Sequence, residues 1–502
     1  MRVLLVHTPK LVWGPRGLES AFVNVPAVGL YAIGSHLVRR GHAVRLLHYG
    51  VEVLRDPGFR LDRYVRERGH GLVGFSLQWH HQIPGVLDLA QQVKRGCPEA
   101  YVVVGGLTAS AFANQILAAC PEIDAVVRGE GEEPLRALAT ALDEGGSLRG
   151  VPNLAYREGP AVRRNRVTFV GDETFFRGLS FADTRLWERP AEARQPYGFD
   201  PRSQPASCYV SADVFYLAVG RGCSRNCCYC GGSAAAHRRL SGRREVTFRP
   251  VVDVVADLAR VAAGGYRCAY VCFDPPPQAH AYYLALFRRL ERERLPIGLE
   301  FEAYQPHGRA FWEAYARAFD PQRSLVVFSP DTESETIRRQ VKGYGYSNAD
   351  LEAELGTLKA LGFRLGLYFS VCPLEDVAQA HRTAAWMGQL RERYGLATWM
   401  HAVEIEPLAA WQRNPRRWGL RGVRTTFDDF LRWHRRPGPA HGAVPDVGYE
   451  MAGFEDRFRI LSAGLGSSPS PTPRRQRRVG RPRACQVSSG AAPALKTRRR
   501  SP

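Results

Sequence analysis

The stretch Gly222-Cys223-Ser224-Arg225-Asn226-Cys227-Cys228-Tyr229-Cys230-Gly231 sets three cysteines at C-x3-C-x2-C spacing and follows them with glycine. Three thiolates on one tight loop can ligate three irons of a [4Fe–4S] cubane, which leaves the fourth iron open to an exogenous chelate. Zinc is the competing metal, but it prefers four protein ligands, usually as paired cysteine units far apart in sequence. No second pair of that kind is evident, although Cys268 and Cys272 are available to contribute. Adjacent Cys227 and Cys228 cannot both readily face one cubane, so Cys228 reads as a packed interior thiol, as does Cys372.

Around this loop the chain reads as α/β. From Val214 to about Leu408, candidate strands fall at Phe215–Val219, Ala269–Phe273, Gly298–Glu302, Leu325–Phe328, Leu365–Phe369 and Trp399–Ile405, with amphipathic helical stretches between them. Six β/α repeats predict a partial or closed barrel over 213–408, with its site at the carboxyl ends of the strands. Upstream, residues 1–145 alternate five short strands with helices: Val3–Val6, Ala43–Leu47, Leu72–Ser76, Tyr101–Val104 and Ile123–Val127. That alternation predicts a doubly wound, Rossmann-like parallel sheet that binds ligands at its strand ends. Residues 146–212 form a turn-rich linker with a candidate hairpin at Asn153–Tyr156 and Arg166–Val170. Residues 409–463 are aromatic-rich and carry no assigned role. Residues 464–502 read as a disordered basic tail.

Composition narrows the function classes. The 502 residues are 45% hydrophobic, enough for sizeable cores, and no apolar run is long enough for a membrane span. The start MRVLLVHTPK lacks a secretory signal pattern, and eleven cysteines, an odd number, do not suggest a disulfide scaffold; a cytoplasmic protein is expected. Half of the net charge of +20 sits beyond Gly464, where ten Lys or Arg meet no acidic residue. A tail of that kind can bind nucleic acid, but a solvated extension is the simpler reading, and no nucleic-acid partner is expected.

The cysteine segment, with aromatic Tyr229 before its last cysteine, resembles the radical S-adenosylmethionine (SAM) superfamily motif. Residues 1–145 resemble the cobalamin-binding domain that precedes the radical SAM domain in one large class. The resemblance rests on Val25-Pro26-Ala27-Val28-Gly29-Leu30-Tyr31-Ala32-Ile33-Gly34, Val73-Gly74-Phe75-Ser76, Val104-Gly105-Gly106 and Arg128-Gly129-Glu130-Gly131-Glu132. Phe328-Ser329-Pro330-Asp331-Thr332 and Tyr346-Ser347-Asn348 in the barrel are also similar to that class.

The resemblance implies three cofactors: a [4Fe–4S] cluster on Cys223, Cys227 and Cys230, SAM, and cobalamin. SAM would sit near Tyr229, with Gly231 and Gly232 allowing close backbone approach. Ser76 and Thr108 would hydrogen-bond the cobalamin tail, beside space left by Gly105 and Gly106 and a rim closed by Gly129 and Glu130. The implied activity is methylation of an unactivated carbon of a small-molecule or natural-product substrate, with a flavodoxin- or ferredoxin-like electron donor. Radical rearrangement, ring contraction or cyclisation is the alternative within the class, and RNA modification the alternative outside it. An Asp-x-His-x-x-Gly cobalt-ligating motif is absent: the loop after the first strand reads His7-Thr8-Pro9-Lys10-Leu11, and His7 reads as a core histidine. Trp79-His80-His81, Asp274, Glu302 and Tyr304 end strands and are weaker candidates for cofactor or substrate contact.

Overall fold

Val3-Leu4-Leu5-Val6 is apolar at every position because both faces of its strand are covered. Val3 and Leu5 enter one core and Leu4 and Val6 the other, as the two-residue period of a strand requires. The computed structural model describes residues 1–14, 17–22, 25–190, 214–276, 278–436 and 444–465, with only the backbone described for 11–14 and 17–22. The strands are β1 (Arg2–His7), β2 (Lys10–Gly14), β3 (Gly17–Phe22), β4 (Ala43–His48), β5 (Leu72–Ser76), β6 (Tyr101–Gly105), β7 (Ala125–Val127), β8 (Leu154–Glu158) and β9 (Ala161–Arg164). Their main sheet runs β4-β1-β5-β6-β7-β8-β9. The first five are parallel, in a register that sets His7 beside Ser76 and Ser76 beside Gly105.

The expected linker hairpin belongs to this sheet. Strands β8 and β9 pair antiparallel onto β7, and the second strand is Ala161–Arg164 rather than Arg166–Val170. The reversal is made by Gly159-Pro160, with Gly159 at φ +60°. Strands β2 and β3 form a separate antiparallel hairpin that the sequence reading did not contain.

A second sheet of six parallel strands follows: β10 (Val214–Tyr216), β13 (Cys268–Val271), β14 (Gly298–Ala303), β15 (Leu325–Asp331), β16 (Arg364–Ser370) and β17 (Ala397–His401), hydrogen-bonded in that order. The short pair β11 (Gly220–Arg221) and β12 (Thr247–Phe248) stands apart from it. This is the six-stranded partial barrel expected from the repeats. Its core is continuous with one face of the first sheet: Leu5, Leu46 and Val103 share a cluster with Phe215, Val254 and Phe301.

The segment 172–190 is built into that junction. Trp187 joins the shared core, and Phe176 and Phe181 pack against Ala32. Buried Arg249 binds Asp257 at 2.6 Å and donates to the Leu179 carbonyl, while Asp257 accepts from the Phe181 amide. Both charges have partners, which burial demands.

Residues beyond β17 return to the first sheet. Helix Phe427–His434 starts with a capping box, Thr426 accepting from the Asp429 amide, and buries Phe427, Phe430 and Trp433 in the core under β5 and β6. Helix Phe454–Gly464 lies along Val377–Tyr394, so Gly464, expected to open the tail, closes a helix instead. The rest of the tail and the stretch 191–213, with Cys485 and Cys208 in them, fall outside the described residues. Among the described residues no helix is long and apolar enough to cross a membrane.

Candidate active site

Glycines at the ends of β5, β6 and β7 leave a cavity of about 700 Å³ above the first sheet. Ser76, Gly105, Gly106, Gly129 and Glu130 all line it, five of the six residues expected there. Thr108 does not: its hydroxyl is buried and donates to the Gln78 carbonyl at 3.0 Å. The far wall comes from Tyr216 and His401 of the second sheet and from Arg221 of β11.

The glycines differ in what requires them. Gly106 has φ +115°, and a Cβ there would stand 2.7 Å from the Leu77 carbonyl oxygen, so the backbone excludes a side chain. A Cβ on Gly105 would meet nothing closer than Val127 at 3.8 Å, so its bareness serves the cavity. Glu130 is committed elsewhere, receiving Arg243 and the Gly171 amide. Arg221 binds Glu132 at 2.6 Å across the cavity wall, and the sequence reading missed this tie. Glu132 Oε2 and Arg221 Nε are buried without a hydrogen-bond partner. Orphaned polar atoms in a largely apolar, glycine-rimmed slot fit a large ligand with a polar periphery, as a corrinoid is.

Cys223, Cys227 and Cys230 are partly exposed free thiols on one loop. Cys223 Sγ accepts from the Arg225 amide and Cys230 Sγ from the Gly232 amide, each at 3.3 Å. Backbone donors of this kind stabilise cluster thiolates. Burial raises all three thiols, Cys227 to about 11, so they are protonated until a metal displaces the proton. Cys228 faces the other way. Its amide bonds the Val341 carbonyl, and its side chain packs with Cys372, Val403 and Trp411. Both spare thiols are interior, as read.

Three residues that spacing did not reveal brace the loop. Tyr229 donates to Asp331 at 3.3 Å, Asp331 binds Lys342 at 3.3 Å, and Ser370 donates to Asp331 at 2.8 Å. A bulge between Phe328 and Asp331 puts Asp331 at φ +64° and re-aims it. Lys342 is buried, which works against its charge, yet Asp331 and then Tyr229 hold its pKa above the ordinary lysine value. Gly231 donates to Glu406 at 2.7 Å, and a Cβ there would meet the Pro407 carbonyl oxygen at 2.7 Å.

The weaker candidates resolve into supports. His7 is buried edge-on to His48. Asp274 accepts from His307 and from the Tyr304 amide. Glu302 accepts from Tyr270 and Ser329, and the Tyr304 hydroxyl bonds the Cys272 carbonyl. His81 lines the cavity, whereas His80 is buried behind it.

The two halves meet where chemistry would need them to. A Cβ on Gly232 would lie 3.6 Å from Cys230 Sγ and 4.0 Å from Leu107 Cδ1, in the turn after β6. The cysteine loop therefore abuts the cavity rim.

Residues 18–139 match the B12 binding domain family model. Across 94% of this chain and 89% of the other, the structure matches the radical SAM methyltransferase TsrM from Kitasatospora setae, solved with cobalamin and a [4Fe–4S] cluster, at TM-score 0.66 and 17% identity. In fold, the chain resembles this cobalamin- and cluster-bearing radical SAM methyltransferase. The cobalamin-dependent SAM radical enzyme OxsB, solved with aqua-cobalamin and SAM, matches over 83% of this chain and 56% of its own at TM-score 0.57 and 16% identity. In sequence, the chain is 32% identical over 155 residues to hopanoid C-3 methylase of Methylococcus capsulatus, 31% of this chain and 28% of that protein. It is 26% identical over 237 residues to the anaerobic magnesium-protoporphyrin IX monomethyl ester cyclase of Synechocystis sp., 46% of this chain and 42% of that protein. The chain thus spans less than half the length of these two curated relatives.

Proposed function

We propose that the chain is a cobalamin-dependent radical SAM C-methyltransferase acting on a small-molecule or natural-product substrate. The approach of Leu107 to Gly232, 4.0 Å from where a Cβ would stand, supports this reading, because Leu107 follows Gly106 on the rim of the slot. When bound, the cluster and SAM supply a 5′-deoxyadenosyl radical, and cobalamin supplies the methyl group. Cys223, Cys227 and Cys230 would hold the cluster, Gly231 and Gly232 would leave room for SAM beside it, and Tyr229 fixes the loop through Asp331. Ser76, Gly105, Gly106 and Gly129 admit cobalamin, with Thr108 and Glu130 holding the loops behind it. Shared walls keep the reacting groups in near contact, where effective molarity replaces diffusion. A flavodoxin- or ferredoxin-like donor in the cytoplasm supplies the electron.

Anaerobic reconstitution with iron, sulfide and cobalamin, followed by SAM product analysis under reducing conditions, tests the assignment. Both S-adenosylhomocysteine and 5′-deoxyadenosine with methionine are expected. Cleavage to 5′-deoxyadenosine without any S-adenosylhomocysteine would replace methylation by a rearrangement or cyclisation.

A further inference from the structure

Three histidines from distant parts of the chain converge beside the cavity. His80 and His81 stand in the turn after β5, and His434 ends the helix Phe427–His434. One ligand nitrogen from each lies within 4.8 Å of the others. His80 Nδ1 and His434 Nε2 are only 2.7 Å apart, and both rings are buried against Trp433 and Phe430. Glu404, just past β17, brings a carboxylate: its Oε2 is 2.6 Å from His81 Nε2 and 3.5 Å from His80 Nε2.

From this geometry we infer that His80, His81 and His434 form a second metal site, separate from the cysteine loop and flanked by the Glu404 carboxylate, for a divalent first-row ion such as Zn²⁺. Three imidazoles match the donors such ions prefer, and a water would complete the four-coordinate shell. Zn–N bonds of about 2.0–2.1 Å set tetrahedral N···N separations near 3.4 Å, so the His80–His434 pair parts by roughly 0.7 Å on binding. Lys10 and Arg424 act on His434 with like charge and oppose a cation; Arg424 is itself 3.7 Å from Asp446, and Glu404 supplies the local countercharge. The bound ion would staple two segments together: the turn after β5 and the helix Phe427–His434.

The test uses the full, untagged chain with Cys223, Cys227 and Cys230 all changed to Ala, which removes the cluster site. Zn²⁺ is added, excess is removed, and metal per chain is measured; Co²⁺ is then substituted for its visible spectrum. One equivalent is expected, with a four-coordinate Co²⁺ spectrum free of thiolate charge-transfer bands. Adding His434→Gln or His81→Gln should weaken retention by more than the roughly 10–100-fold typical of losing an outer-shell partner. His81 is partly exposed, so its variant remains decisive if His434→Gln does not fold. No retained metal, equal retention in His81→Gln, or thiolate bands would overturn the inference.

Discussion

Glu130 and Arg243 stand 113 residues apart in the chain and meet in a buried two-point ion pair, Nε to Oε1 at 2.6 Å and Nη2 to Oε2 at 3.0 Å. The pair ties the turn after β7 to the segment beyond the cysteine loop. Removing one partner would strand the other charge, a change that typically costs about 3–5 kcal/mol. Glu130→Ala should therefore lower the melting temperature of the apoprotein markedly. A melt unchanged from wild type would show that the carboxylate serves a ligand instead of the fold.

Cys228→Ala should keep the full iron content, because that thiol is packed with Cys372 and Trp411 away from the other three. Cys230→Ala should lose the intact cluster and SAM cleavage with it. Iron and sulfide counts on the two reconstituted variants decide the matter; the reverse pattern would refute the ligand assignment.

Gly105 and Gly106 should separate binding from folding. Gly105→Leu fills space the cavity offers, and should cut cobalamin absorbance after reconstitution while iron content and melting temperature hold. Gly106→Ala should instead destabilise the apoprotein, since its Cβ would press on the Leu77 carbonyl. Full cobalamin loading of Gly105→Leu would place the cofactor elsewhere.

Much of this arrangement is legible in the sequence, because each step is local. Continuous apolar runs mark strands buried on both faces, and the three cysteines lie within eight residues. What joins distant segments is not legible. Nothing near His80 or His81 points to His434, more than 350 residues away, and the packing of Phe427 on Phe112 is equally invisible. The two hairpins were less hidden: Gly14-Pro15-Arg16-Gly17 and Gly159-Pro160 are turn signals that deserved more weight than the strand periodicity beside them. Thr108 lies off the cavity for another reason. A hydroxyl in the first turn of a helix often finds a backbone carbonyl before it finds a ligand.

Glu300 should give the apoprotein a pH-dependent stability. It is buried on β14 with Oε2 lacking a partner, and burial pushes its carboxyl up to about 7. Between the ordinary carboxylate pKa and 7 the folded state holds a proton that the unfolded state has released, so stability falls as pH rises through that window and levels off above it. Glu300→Gln should leave the melting temperature at pH 4.5 nearly unchanged and raise stability at pH 8 by up to about 3 kcal/mol. Parallel melts at the two pH values check this; an equal effect at both would remove the titration from the account.

The helix Phe427–His434 completes a core begun at Leu4. Phe427 and Phe430 cover Phe112, the Phe427 amide donates to Gln115 at 2.7 Å, and Arg435 reaches Asp88 at 3.0 Å. On the ribosome these partners are separated by about 15–60 s of synthesis, taking roughly 300 residues at 5–20 residues per second. Throughout that interval the nascent first sheet has one flank uncovered. Chaperone engagement should be strongest there, and expression of the first-sheet domain alone should yield insoluble chains unless residues 427–436 are supplied in trans.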